Sequence, residues 1–275
     1  MPRVLAALLA ALAACAPAPA LVVPDEPVVP PALPEAEPAR AVVRILPEES
    51  ELDPHLEEGP GPEEPGPPPA GAPLGTRLGL LGPDRCLAGL RAAGVRFRRE
   101  PDPVDDVVTP IRLTGPVGGV TYRGLSRDPA SPYAILDCRL ALALTELSAI
   151  LQAHGIVEVI HYSMHRPEHN GRGVDSGGST GHRGGMAIDA AIFRRADGST
   201  LNVLRDFRGR RGAPPCGRRA PPAPTEPARV LRDIVCRAQE RGLFHVLLTP
   251  NYDHAHRNHY HMEVRPDGVT WLYVH

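Results

Sequence analysis

Proline limits what this chain can fold into more than any other residue. Of the 34 prolines in 275 residues, 17 fall within residues 15–73. Each fixes its own φ, removes an amide donor and disfavours helix at the residue before it, so a stretch this dense sustains neither a helix nor a sheet ladder. The same stretch holds 12 Asp or Glu against two Arg and is poor in aromatic residues. It cannot bury enough apolar surface to offset the entropy of ordering, so residues 16–73 are expected to form a disordered, extended, semi-rigid linker. Folding is left to residues 74–275, enough for one sizeable domain.

The same division explains the charge. The formal net charge of −2 combines −10 in the acidic stretch, +7 in residues 74–275 and the single charge of Arg3. All 30 basic residues are Arg, which, with abundant Ala, Pro and Gly, reads as a coding bias. With only 4% aromatic residues and no basic helix, the domain has neither the stacking platform nor the charge needed to grip nucleic acid. Its positive charge suits an anionic wall polymer better.

Ahead of the linker stand Arg3, an apolar run over residues 4–14, and Leu12-Ala13-Ala14-Cys15. A charged start, a short apolar run and small residues at the cut have the layout of a secretory signal over residues 1–15, too short to span a bilayer. A Cys directly after the small pair resembles the lipobox of bacterial lipoproteins. That resemblance implies a lipid on Cys15 and attachment to the cell envelope, on the periplasmic side of the outer or inner membrane. The plain alternative is a signal peptide with an incidental Cys. Export leaves Cys86, Cys138, Cys216 and Cys236 for disulfides, with three pairings that sequence does not separate. None lies in a CxxC pair, which argues against a thiolate zinc site.

The folded part reads as α+β, a small and mostly antiparallel sheet flanked by helices. Asp84 is expected to cap a helix over residues 85–93, closed by Gly94. Residues 136–154 form the strongest helical run, ended by Gly155, and Thr225 with Pro227 just inside opens a helix to about Arg241. Strands are expected at 156–161, 187–194, 200–204, 244–248, 259–265 and 269–274. Asp197-Gly198 turns one hairpin, and Pro266-Asp267-Gly268 joins the last two strands. Residues 207–225 read as an Arg-, Pro- and Gly-rich insertion with little to bury except Cys216.

Ten of the 12 histidines lie between His154 and His261. In Thr180-Gly181-His182-Arg183-Gly184-Gly185-Met186-Ala187-Ile188-Asp189, a His in a Gly-rich loop precedes an Asp on an expected strand, and the glycines let both side chains reach one ion. In His256-Arg257-Asn258-His259-Tyr260-His261, strand alternation puts His259 and His261 on one face, about 6–7 Å apart. Imidazole nitrogens and a carboxylate are what zinc takes in a hydrolytic site, with the fourth position left for water. Taken singly, such motifs are more often a turn and a half-exposed strand face.

Together they follow the order [ST]xHxxGxAxD and then HxxHxH some 70 residues later. In this the sequence resembles the extensin-like C-terminal domain family of bacterial proteins, related to the D-Ala-D-Ala metallopeptidases and to the penicillin-insensitive murein endopeptidase. The resemblance runs from about Cys86 to about Glu263. It implies a zinc-peptidase-like fold of the hedgehog and D-Ala-D-Ala peptidase type, Zn2+ held by His182, Asp189 and His261, and hydrolysis of peptide bonds in the stem or cross-link peptides of peptidoglycan. It makes His259 the general base or transition-state stabiliser, with His256 the second candidate. Asn258 stands where related carboxypeptidases place a Glu, and an amide cannot take the proton, so the histidine version of the site fits better.

Arg166, after Tyr162-Ser163-Met164-His165, stands where relatives hold the substrate carboxylate; the plain alternative is a surface Arg. His165 replaces an expected Cys, so one family disulfide is absent or rewired. His161 and His169 read as extra ligands of a two-metal site or, more simply, as satisfied or solvent-facing rings. Thr180 is expected to order its loop. Glu263 shares the face of His261, either as a partner for its ring N–H or as a strand-end charge. Two other functions compete with the peptidase. One is a non-catalytic peptidoglycan-binding or structural lipoprotein that keeps the metal site. The other is a zinc carrier, disfavoured because these histidines lie on expected strands and turns rather than in flexible tracts.

Overall fold

The computed structural model describes residues 70–167 and 181–275. The lipobox at Cys15, the linker up to residue 69, His169 and Thr180 lie outside the described residues. Helices α1 (Leu74–Gly79), α2 (Pro83–Ala92), α3 (Cys138–Gln152), α4 (Val203–Asp206) and α5 (Glu226–Glu240) combine with ten short strands. The strands are β1 (Phe97–Arg99), β2 (Pro110–Leu113), β3 (Thr121–Gly124), β4 (Leu136–Asp137), β5 (Ile156–His161), β6 (Ala187–Arg195), β7 (Thr200–Asn202), β8 (Val246–Leu248), β9 (Tyr260–Glu263) and β10 (Tyr273–Val274). The α+β class holds, but the single small sheet becomes two. A seven-stranded sheet runs β10-β8-β9-β6-β5-β3 with β7 beside β6, and a three-stranded sheet runs β1-β2-β4. The pairs β10/β8 and β3/β5 are parallel; every other pair is antiparallel.

Asp137 starts α3 by accepting from Arg139 N, and Leu140, Leu144, Leu147 and Leu151 recur along one face, all fully buried. Each contributes roughly 1.5–3 kcal/mol of burial. Thr225 caps α5 as its sequence predicts, its hydroxyl accepting from Ala228 N at 3.3 Å. The buried side of α5 (Leu231, Ile234, Val235, Ala238) packs under the sheet, where the Tyr260 hydroxyl donates to Leu231 O at 3.1 Å. Disulfide Cys86–Cys138 ties α2 to the start of α3, and Cys216–Cys236 ties the 207–225 segment to α5.

Five expectations give way. Gly82, not Asp84, is the N-cap of α2, because Pro83 takes the first helical position and Asp84 falls in the first turn. Leu136-Asp137 is a strand rather than the first turn of α3. β10 does not pair with β9, whose two edges are already taken by β6 and β8, and adds in parallel to the outer edge of β8 instead. The 207–225 segment is anchored by more than Cys216: Phe207 and Ala213 are buried, and Asn251 Nδ2 donates to Ala213 O at 2.8 Å. The strand expected from residue 259 begins at Tyr260, leaving His259 in the preceding turn.

Candidate metal centre

Register places the first residues of the site. In the β6/β9 pair Asp189 stands opposite His261 and Ala187 opposite Glu263, so Asp189, His261 and Glu263 share one face of the sheet. Their neighbours Ile188, Ala190, Tyr260 and Met262 point the other way, into the core. His182 comes from the turn just before β6. That turn is fixed by backbone bonds from Arg166 N to His182 O (3.0 Å), Met186 N to Gly181 O (2.9 Å) and Asp137 N to Gly185 O (2.9 Å). Gly185 has φ +62°, and a Cβ there would lie 2.8 Å from Asp137 N, so neither the conformation nor the space admits a side chain.

The result is a triangle of ligand atoms. His182 Nε2 lies 3.0 Å from Asp189 Oδ1 and 3.2 Å from His261 Nδ1, which lies 3.2 Å from the same Oδ1. Tetrahedral zinc with bonds of about 2.0–2.1 Å would set ligand atoms about 3.3–3.4 Å apart. The outward ring atoms decide what the inward ones carry. His182 Nδ1 faces the Met164 carbonyl at 3.2 Å, and a carbonyl only accepts, so the proton sits on Nδ1 and Nε2 presents a lone pair. His261 Nε2 likewise donates to Glu263 Oε2 at 3.3 Å, leaving Nδ1 inward. Two imidazole nitrogens and a carboxylate oxygen at this spacing could hold a metal ion, and the donor set is one that zinc takes. Electrostatics state the same demand. Burial opposes charge on His261, yet the Asp189 and Glu263 carboxylates outweigh it and lift its pKa to about 9. Burial also works against the Asp189 charge, but His182, His261 and His259 hold its carboxyl well below the usual range.

The remaining residues line the approach. His259 Nε2 is 3.4 Å from Asp189 Oδ1, while its Nδ1 donates to Asn258 Oδ1 at 2.8 Å. Burial pushes its pKa down to about 4, so the ring is neutral near pH 7. Asn258 in turn donates from Nδ2 to the Tyr162 hydroxyl at 3.0 Å. His256 is locked by Asp253, Nδ1 to Oδ1 at 2.7 Å, with its ring 5.2 Å from His259 and 6.0 Å from His261. Arg166 is half-exposed, pairs with Asp189 Oδ2 and donates to Ser163 Oγ at 2.9 Å; Ser163 donates to Asp189 Oδ2 at 3.1 Å. Glu263 is the ring partner rather than a bare strand-end charge. His161 does not join the cluster: an extra residue on β6 shifts the register, and His161 lies opposite Ala190, on the other face of the sheet from Asp189. His165 is buried where a cysteine was expected.

Ser163, Tyr162 and Asp253 are supports that the sequence did not single out, and Asn258, read there only as a position without a Glu, is the ring partner of His259. Asp253 had a legible signal, three residues before His256. Ser163 and Tyr162 did not, because their roles depend on contacts between distant segments.

Fold and cluster together define an α+β domain with a candidate His/Asp/His metal centre on one sheet face. Residues 84–271 match the family described as extensin-like protein C-terminus, and the chain belongs to that family. No curated protein and no solved structure matches the chain.

Proposed function

We propose that the chain is a zinc-dependent peptidase of the D-Ala-D-Ala peptidase type, with the fold of that class, cutting peptide bonds in the stem or cross-link peptides of peptidoglycan. The observation that carries this reading is the inward turn of His182 Nε2, His261 Nδ1 and Asp189 Oδ1, with both outward imidazole nitrogens already tied. Held by His182, Asp189 and His261, zinc would supply a Lewis acid that lowers the pKa of water.

The chain's own residues supply the rest. With its Nδ1–H held by Asn258, His259 offers Nε2 as a base toward the reacting centre, and burial keeps that nitrogen unprotonated down to about pH 4. His256, fixed by Asp253 and packed on His259, stands ready to stabilise developing negative charge or relay a proton. Arg166, its Nε held by Ser163 and its Nη2 by Asp189, keeps its Nη1 side for a substrate carboxylate. A lipid at Cys15, the 16–73 linker and the two disulfides fit a working place in the cell envelope. Among the described residues no helix is long and apolar enough to cross a membrane.

The test is to incubate the full-length, zinc-loaded protein with isolated peptidoglycan, beside His261→Ala, and analyse the released fragments by mass. Joint loss of zinc and of cleavage in the variant supports the peptidase. Stoichiometric zinc on the native protein with no fragments from any wall preparation would sink it and leave a non-catalytic wall binder.

A further inference from the structure

Aromatic residues make up only 4% of the chain, yet a run of rings leads outward from the metal centre. Centroids follow one another from Tyr162 to His259 (5.7 Å), His256 (5.2 Å), Tyr252 (5.4 Å) and Tyr273 (6.1 Å). Sheet register puts the far end of this run on the metal-bearing face. Tyr273 lies beside Val246 and Val246 beside Glu263, so all three point the same way. Trp271 joins them through Arg265, whose guanidinium sits 5.5 Å over the indole and 3.9 Å from Glu263. Tyr252, Tyr273 and Trp271 are 37%, 43% and 48% exposed. Such a patch of exposed rings beside a site marks an interaction surface.

We propose that Tyr252, Tyr273 and Trp271 form a platform on which sugar rings of a glycan strand stack, delivering the attached peptide to the His182/Asp189/His261 centre. This rests on the peptidoglycan reading above. The platform rings belong to Tyr and Trp, which pair a flat apolar face with a polar edge. Of the four Phe, Phe193, Phe207 and Phe244 are buried and Phe97 is half-buried, so this face lacks the purely apolar bulk a bilayer would take. Nor does the local charge suit a phosphate backbone: Asp253 stands 2.7 Å from His256 and Asp267 pairs with Arg265 at 2.6 Å, so carboxylates lie beside the platform rings. A neutral polymer with flat C–H faces and hydroxyl rims fits both features. From β10 to β9 is two strand spacings, about 10 Å. Tyr273 is level with Glu263, two residues along β9 from His261, so the diagonal to the centre is about 12 Å, and a sugar on Tyr273 sets the centre near the third or fourth residue of the chain it carries.

Trp271 is the only tryptophan, so its fluorescence reports on the platform directly. The full-length, zinc-loaded protein is titrated with a β-1,4-linked N-acetylglucosamine hexamer, and separately with oligo-dT and with anionic phospholipid vesicles. Binding to isolated peptidoglycan is followed by co-sedimentation. A saturable Trp271 response to the sugar alone is expected. Tyr273→Ala weakens sugar and wall binding about tenfold, whereas Tyr273→Phe, which keeps the ring, retains it. A silent Trp271 at millimolar sugar, an unaltered Tyr273→Ala, or a response to oligo-dT or vesicles in place of sugar overturns the proposal. The sugar response must also persist in His261→Ala. Sugar binding without wall cleavage breaks the hydrolase reading and keeps the platform; wall cleavage with Trp271 silent breaks the platform and keeps the hydrolase.

Discussion

Asp137 and Asp189 are both completely buried, and each is surrounded by nitrogen atoms. Around Asp137 every nitrogen brings its own hydrogen. Oδ1 accepts from Arg139 N and Nε at 2.9 and 2.7 Å, and Oδ2 accepts from Thr109 N and Arg139 Nη2 at 3.0 and 3.1 Å. Around Asp189 only one oxygen is treated this way, Oδ2, by Ser163 and Arg166. Oδ1 instead meets His182, His261 and His259 nitrogens whose rings have committed a hydrogen elsewhere, to Met164, Glu263 and Asn258. A buried carboxylate closed by donors holds the fold together. One facing imidazole nitrogens draws a positive charge into their midst, the His261 proton or a metal ion in its place.

Removing each carboxylate separates the two cases most sharply. Asp137→Ala leaves the Arg139 charge buried without its partner and is expected to cost about 3–5 kcal/mol in urea unfolding, with or without zinc. Asp189→Asn should abolish measurable zinc binding by calorimetry and remove the rise in Tm that zinc confers, because a neutral amide cannot replace the anionic ligand. If Asp189→Asn bound zinc as tightly as the native chain, the contrast between the two aspartates would collapse. Glu263→Gln, which weakens only the outward partner of His261, should lower zinc affinity about 10–100-fold.

Changing pH sharpens the comparison further. His261 has its pKa raised to about 9 in the folded protein against an ordinary value of 6.5. Its contribution to the stability of the zinc-free fold is therefore full below 6.5 and lost as pH rises through 9. Zinc competes for the place of that proton, so zinc affinity should rise about tenfold per pH unit from 7 toward 9, with close to one proton released per ion. Calorimetry in buffers of different ionisation enthalpy measures that proton, and a flat profile would contradict the cluster. The smallest effect expected is that of Ser163→Ala, which removes one donor from the already anchored Oδ2 and should cost about 1 kcal/mol of zinc affinity.

Much of the site was legible because spacing and alternation encode it locally. His182 and Asp189 share a seven-residue interval across one turn, and His261 and Glu263 fall on one face wherever a strand alternates, whereas the pairing of Asp189 with His261 came only with the β6/β9 register. Long-range partners were not legible. Nothing near Asp189 in sequence announces Ser163 or Arg166, and His161 looked eligible until the extra residue on β6 turned it to the opposite face. The fold shows the same limit. Helices α3 and α5 follow from capping and apolar spacing, whereas β1 to β4, each of two to four residues, are too short for a pattern to emerge. The placement of β10 depended on which sheet edge remained open, a property of the assembled sheet rather than of residues 269–274.

That β9 is enclosed by β6 and β8 bears on how an ion comes and goes. His261 and Asp189 sit on strands that cannot separate without breaking ladders on both sides, so their opening approaches the cost of unfolding the whole domain. His182 belongs to a turn held by a few backbone bonds. An ion held there would therefore leave by opening of the 181–186 turn rather than of the sheet, which acts as the fixed jaw of the clasp.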